Sequence, residues 1–323
     1  MIFYVFLDPE VISFANNLGV LGLQSLNAIL RGFLQNCFVA EFEDYRIQQA
    51  IKDKVDSLPE SYDRTIIKKL FTALQKRNRF IYCLSPDHSG RKSDVQCAIE
   101  QAISSLLDLL LLKEIPSDIT IPTGIEVVTL TTYQNCNFEC NRSLLASNGK
   151  TFREGDLDER DFLDKNFKKA LRYACRIEVC DRLFGRKFGD NYLYTTRIMH
   201  RWLEQVISDP NNCKLIFHCG KPDDEYGPDI DFIRMQIAGL KQGRLAELHI
   251  ELVFYDHPTP EKCLPHERFI FTDQIAFEIG RGMDFIDRIT QKNRDVSIGI
   301  KSQKEVEDLL EFYRNGMLTP IVV

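Results

Sequence analysis

His266, Arg268 and Asp273 fall on one spacing, H-x-R-x4-D, within the stretch HERFIFTDQIAFEIGRGMDF. Six residues beyond Asp273 the chain reads Gly280-Arg281-Gly282. A histidine and an arginine two apart on a strand project to the same side, because side chains alternate with period two. Such a pair suits phosphodiester chemistry. The imidazole attacks phosphorus and forms a phospho-histidine. The guanidinium holds the phosphate oxygens bidentately and never loses its charge. Asp273 is then a supporting carboxylate. Gly280 and Gly282 let backbone N–H groups approach an anion, with Arg281 between them as a second clamp. The plainer reading is a hairpin. There His266 is hydrogen-bonded at a strand start, Arg268 pairs with Asp273 or Glu278, Asp273 serves a turn, and the glycines mark a bulge or kink.

Three other places carry chemistry. The loop Asp181-Arg182-Leu183-Phe184-Gly185-Arg186-Lys187-Phe188 mixes cations with aromatics, which suits phosphate contact and base stacking through Arg182, Arg186 and Lys187. Asp8 closes the first strand, as the first metal-binding aspartate does in a PIN-type nuclease; Glu41, Glu43, Asp87 and Asp94 are the carboxylates that would join it on Mg²⁺. The loop SPDHSGRKSD offers His88, Arg91 and Lys92 to a phosphate or is an exposed connection. Cys136 and Cys140 are the only close cysteine pair among ten, and no further zinc ligands stand at matching spacing.

These residues need strands and helices to place them. Ile2–Leu7 reads as a strand ending at Asp8-Pro9. Val20–Leu34, Tyr45–Val55 and Tyr62–Lys76 are amphipathic at helical spacing. Phe80–Leu84 is a strand, Val95 to Leu112 a helix, and Ile125–Thr131 a β-branched strand. After a polar stretch, Lys150–Asp164, the order is helix Phe167–Ala174, strand Arg176–Asp181, helix Tyr192–Val206, strand Lys214–Cys219, helix Ile230–Leu240 and strand His249–Tyr255. Arg268–Thr272 and Ile275–Ile279 alternate around Asp273-Gln274 and predict a hairpin. The expected fold is α/β with two domains: residues 1–150 of uncertain, PIN-like type if Asp8 is the centre, and residues 165–323 a mixed sheet with flanking helices.

The composition, 44% hydrophobic and 27% charged, is that of a soluble globular protein. A net charge of −6 argues against coating nucleic acid through bulk charge but leaves room for a local basic groove. The longest apolar run, Leu106–Leu112, is broken by Asp108 and is far short of a membrane span. The N-terminus has no secretory signature, no lipidation motif ends the chain, and cysteines scattered in apolar runs such as FIYCL, IEVC and IFHC suit a reducing, cytoplasmic compartment.

The motif resembles the H-x-K-x4-D signature of the phospholipase D superfamily, with arginine for lysine and Gly280-Arg281-Gly282 in place of the family's Gly-Ser and downstream Asn. It is more similar still to the H-D-R … I-G-R-G-L-D pattern of the MIT C-terminal domain, a phospholipase-D-like module. The resemblance covers roughly residues 165–300. It implies His266 as nucleophile, Arg268 and Arg281 as phosphate clamp, and no metal; Mg²⁺ enters only under the Asp8 reading. It implies a symmetric dimer or larger assembly, because one chain supplies one motif and such enzymes need a second histidine. Bacterial relatives of this domain type occur in anti-phage defence settings. The resulting expectation is a phosphodiester-recognising protein, a nuclease or a nucleic-acid-binding subunit of a defence system. The alternatives are a non-catalytic module for phosphate-bearing lipid, acidic membrane lipid or a protein partner, and a Mg²⁺-dependent nuclease in the N-terminal half.

Overall fold

A strand covered on both faces by helices has no polar side to show, so its sequence reads as an unbroken apolar run. The computed structural model, which describes residues 2–117, 120–152, 158–181, 191–220, 230–255, 268–280, 296–301, 303–313 and 321–323, is built on that rule in its first half. The chain divides into two units, Met1–Ser147 and Asn148–Val323. Both are α/β.

The first unit runs β1 (Phe3–Leu7), α1 (Glu10–Asn17), α2 (Gly19–Asn36), β2 (Cys37–Phe42), α3 (Arg46–Ser57), α4 (Tyr62–Lys76), β3 (Phe80–Leu84), α5 (Asp94–Gln101), β4 (Leu109–Leu112), β5 (Glu126–Thr129) and α6 (Asn137–Asn148). Its five strands are all parallel, in the order β3-β2-β1-β4-β5. The chain therefore builds outward from β1 to β3, then returns to the other side of β1. β2, β4 and α6 are not in the sequence expectation. The helix expected over 95–112 ends at Gln101, Leu106 further on adopts a positive φ of 58°, and Leu109–Leu112 forms β4. All four leucines are buried, and such a run has no period to separate strand from helix. For the same reason β2, buried at all six positions, gave no alternating signal.

The second unit runs β6 (Lys150–Phe152), α7 (Glu159–Asn166), α8 (Lys168–Leu171), β7 (Arg176–Asp181), α9 (Asn191–Val206), β8 (Lys214–Gly220), α10 (Ile230–Ala238), β9 (His249–Tyr255), β10 (Arg268–Thr272), β11 (Ala276–Ile279), β12 (Val296–Lys301), α11 (Gln303–Tyr313) and β13 (Ile321–Val322). The eight strands lie in the order β13-β9-β8-β7-β10-β11-β12-β6. β7, β8 and β9 are parallel, and the remaining pairs are antiparallel, so the sheet is mixed. The polar stretch Lys150–Asp164 contains β6, which pairs with β12, and the start of α7.

Register assigns the two faces. Ile177, Val179, Phe217, Ile270 and Phe277 point to one side, where Phe277 meets Phe167 and Phe167 stacks on Trp202. Trp202 donates its Nε1–H to Glu159, which also takes both arms of Arg201. Cys180, Ile216, Val253, Phe269 and Phe271 point to the other side, under Val306 and Leu310 of α11. Among the described residues, no helix is long and apolar enough to cross a membrane.

Candidate functional site

The parallel strands β7, β8 and β9 end at Asp181, Gly220 and Tyr255, and antiparallel β10 begins at Arg268 beside them. The β7–β10 register, Phe269 against Cys180 and Ile270 against Val179, sets Arg268 opposite Asp181. The Arg268 Nε lies 3.5 Å from Asp181 Oδ1, and the two side chains are only 15% and 4% exposed. On its other flank Arg268 pairs with Ile279 of β11. The carboxyl ends of parallel strands are where open α/β sheets place ligands.

Gly280 follows at the same edge. Its N–H donates to the Ser297 carbonyl at 2.9 Å, and a Cβ there would come within 2.8 Å of Ser297 Oγ. Close strand approach accounts for this glycine without an anion. His266, Arg281, Gly282, Arg182, Arg186 and Lys187 lie outside the described residues.

Asp273 is at the opposite end of β10, about 17 Å from Arg268 along the strand. The hairpin closes there: Thr272 N–H donates to the Ile275 carbonyl at 2.8 Å, and Thr272 Oγ1 accepts from the N–H groups of Gln274 and Ile275. The Asp273 carboxylate accepts from the Cys175 N–H at 3.0 Å and the Arg176 N–H at 3.3 Å, tying the turn to the start of β7. The structure does not bring Asp273 and Arg268 together.

In the first unit, β1 lies between β2 and β4, so Asp8 at the end of β1 occupies the topological switch point of the sheet. Its carboxylate is committed to backbone, accepting from the Glu10 N–H at 2.9 Å and the Lys113 N–H at 3.0 Å. Glu41 is fully buried and accepts from the N–H groups of Phe42, Ile47 and Gln48. Burial pushes its carboxyl up, and those three hydrogen bonds oppose the rise. Asp94 pairs with Arg46 at 3.0 Å. Asp87 gathers the N–H groups of Ser89, Arg91 and Lys92, and these hydrogen bonds, led by the Ser89 hydroxyl, hold its carboxyl down at about 2. The backbone donors that would receive a phosphate in the SPDHSGRKSD loop are thus already filled, and Lys92 is paired with Glu100. Among the described residues, no three His, Cys, Asp or Glu side chains are grouped to hold a metal ion. Cys136 is buried and Cys140 exposed, both as free thiols.

Sequence reading missed a polar network inside the second sheet. His218 on β8 hydrogen-bonds Glu178 of β7 through Nε2 and the Tyr255 hydroxyl of β9 through Nδ1, the latter at 2.9 Å. Glu178 also holds Arg176 Nε at 2.6 Å. Both His218 and Glu178 are buried. The signal was available, since IEVC and IFHC each put one ionisable residue in an apolar strand. Register sets His218 beside Cys180 and Arg268 beside Asp181, on opposite faces of the sheet, so His218 is not a second histidine for the H-x-R site.

No family model matches the chain, and no curated protein matches it.

Proposed function

We propose that the C-terminal unit recognises the phosphate of a phosphodiester, in nucleic acid, at the carboxyl edge of its parallel strands. The observation that carries the reading is Arg268, a largely covered guanidinium held by Asp181 at the edge where sheets of this class take ligands. In the sequence Arg182 directly follows Asp181, and Arg281 directly follows Gly280. His266, two residues before Arg268, is the nucleophile if the site turns over. A single motif per chain makes cleavage depend on a second copy, whereas binding does not. The separation of Asp273 from Arg268 supports recognition ahead of cleavage.

The test is fluorescence anisotropy with 20-nucleotide DNA and RNA, single- and double-stranded, on wild type and Arg268→Ala. Loss of roughly tenfold or more in affinity, with the salt slope reduced by about one, is the expected result. Unchanged affinity in Arg268→Ala rejects the reading. The same samples in excess EDTA report turnover. Cleavage there that vanishes with His266→Ala assigns catalysis to the motif; cleavage only with Mg²⁺ and indifferent to His266 moves it to the first unit.

A further inference from the structure

Arg176 pairs with Lys214 at the start of the parallel strands β7 and β8. The ladder runs one rung further back, since the Lys214 N–H donates to the Cys175 carbonyl at 2.9 Å. Cys213, the residue before Lys214, already has extended backbone, with φ −117° and ψ 138°. Cys175 and Cys213 are therefore the next residues opposite one another on the two chains. Neighbouring strands lie roughly 4.7–4.9 Å apart, inside the Cα separation of about 4.4–6.8 Å that a disulfide spans. Both residues are free thiols.

Their electrostatics also put them in one place. Burial pushes the Cys213 thiol up to about 12, and Cys175 is the next cause, ahead of Asp273 and Asp209. The Cys175 thiol is raised by burial and then by the same two aspartates. Access divides the pair, because Cys175 is exposed and Cys213 buried. Nothing at this spot stabilises a thiolate. Exchange is slow for that reason, and a disulfide once formed has no stabilised thiolate drawing it back to the reduced state. Cys180 and Cys219 lie on the same two strands without this relation. Register sets Cys180 beside His218, so Cys219 points to the opposite face, and both are buried.

We propose that Cys175 and Cys213 are an oxidation site, joined as an intrachain disulfide by exchange with a low-molecular-weight disulfide. Cys175 reacts first because it is the member that solvent reaches. Its thiolate attacks one sulfur of the small disulfide and breaks that S–S bond. A mixed disulfide forms on Cys175, and one small thiolate leaves and takes up a proton. Cys213 then gives up its proton, and its sulfur attacks the Cys175 Sγ. The Cys175–Cys213 bond forms, and the second small thiol leaves. Two cysteine thiols lose two electrons, and one small disulfide is reduced to two thiols. The pair is at the amino ends of β7 and β8, whereas Arg268 stands beside Asp181 at the carboxyl end of β7. The oxidation site is thus separate from the phosphate reading and independent of it.

The test is incubation of the native full chain with millimolar oxidised glutathione at about pH 8.5, where a thiol raised above its ordinary value still supplies some thiolate. The reaction is quenched with N-ethylmaleimide and mapped by mass spectrometry of unreduced peptides. A Cys175–Cys213 cross-linked peptide in most molecules, reversed by dithiothreitol and with no Cys180–Cys219 cross-link, is the expected result. Cys213→Ser stops the reaction at glutathione on Cys175. Cys175→Ser abolishes the cross-link and leaves Cys213 unmodified. Position 175 is exposed and accepts serine, so this variant decides if the buried Cys213→Ser does not fold. Glutathione retained on Cys175 of the wild type without a cross-link, no reaction at Cys175, or a Cys175 cross-link to a cysteine other than Cys213 each overturns the proposal.

Discussion

Arg268 and Asp181 stand opposite one another on antiparallel neighbours, guanidinium Nε 3.5 Å from carboxylate, with both side chains largely out of water. The pair does two things of opposite sign for a phosphate ligand. It fixes the guanidinium, an ordering effect of about 1 kcal/mol. It also sets a negative charge near the bound phosphate, which at about 6 Å and an effective dielectric of about 20 repels by about 3 kcal/mol. Repulsion wins. The net of about 2 kcal/mol means that Asp181→Asn is expected to bind oligonucleotides roughly thirtyfold more tightly, and to unfold in urea with a stability about 1–3 kcal/mol below wild type. Weaker binding by Asp181→Asn would show that positioning outweighs charge.

Asp273 gives the contrasting case. Its carboxylate serves the N–H groups of Cys175 and Arg176 at the far end of β10. Asp273→Ala leaves those donors without that acceptor and costs about 1 kcal/mol. Oligonucleotide affinity is expected to stay within twofold. Thermal melts and anisotropy on one preparation separate the two effects, and a tenfold affinity loss at unchanged stability would return Asp273 to the phosphate site.

The first unit carries a partly buried ion pair with a pH signature. Arg142 is almost fully buried and holds Glu139 through two hydrogen bonds of 2.7 Å, while its other arm reaches the Gly32 carbonyl, Gln35 and Asn36. Burial pushes the Glu139 carboxyl up, but Arg142 and the Tyr133 hydroxyl outweigh that and leave it below the ordinary value of 4.5. A depressed carboxyl contributes stability that is complete above the unfolded value and is lost as pH falls through the folded one. Glu139→Gln therefore unfolds about 3 kcal/mol more easily at pH 7, because Arg142 loses its counter-charge. The gap between variant and wild type is expected to close as pH falls below about 4.5, where protonated Glu139 resembles glutamine. Urea midpoints from pH 7 to pH 3 measure it, and a gap constant with pH would mean the charge is irrelevant.

Much of this fold was legible where periodicity exists. The hairpin around Asp273-Gln274 and the strands Arg176–Asp181 and His249–Tyr255 follow from alternation and turn chemistry. β2 and β4 were not legible as strands, because a strand buried on both faces shows no alternation of polar and apolar residues; the one charged residue of β2, Glu41, is buried with the rest. The strand pairing of Arg268 with Asp181 was hidden for a different reason: 87 positions separate them, and only the sheet order, which no local pattern encodes, makes them neighbours. The Glu178–His218–Tyr255 network was hidden in the same way, although each strand advertised one ionisable residue too polar for its surroundings.

Glycine in a helix ordinarily costs about 1 kcal/mol against alanine, so Gly22 in α2 looks improvable from sequence. Packing reverses the sign. A Cβ at Gly22 would press into the backbone carbonyl oxygen of Ala15 in α1 and stand 2.7 Å from Leu18 Cβ. Neither can swing aside as a flexible side chain would, and overpacking of this kind costs typically 1–3 kcal/mol or more. Gly22→Ala is expected to lower stability by about 2 kcal/mol, a fall of roughly 4–8 °C in Tm for the first unit. Gly299 in β12 is the control, since a Cβ there meets nothing within 4 Å and the backbone is not in the left-handed region. Gly299→Ala is expected to raise stability by about 0.5 kcal/mol, through the lower entropy of the unfolded chain. Calorimetry on the two variants reads both signs, and a Gly22→Ala protein as stable as wild type would mean that α1 and α2 can part without cost.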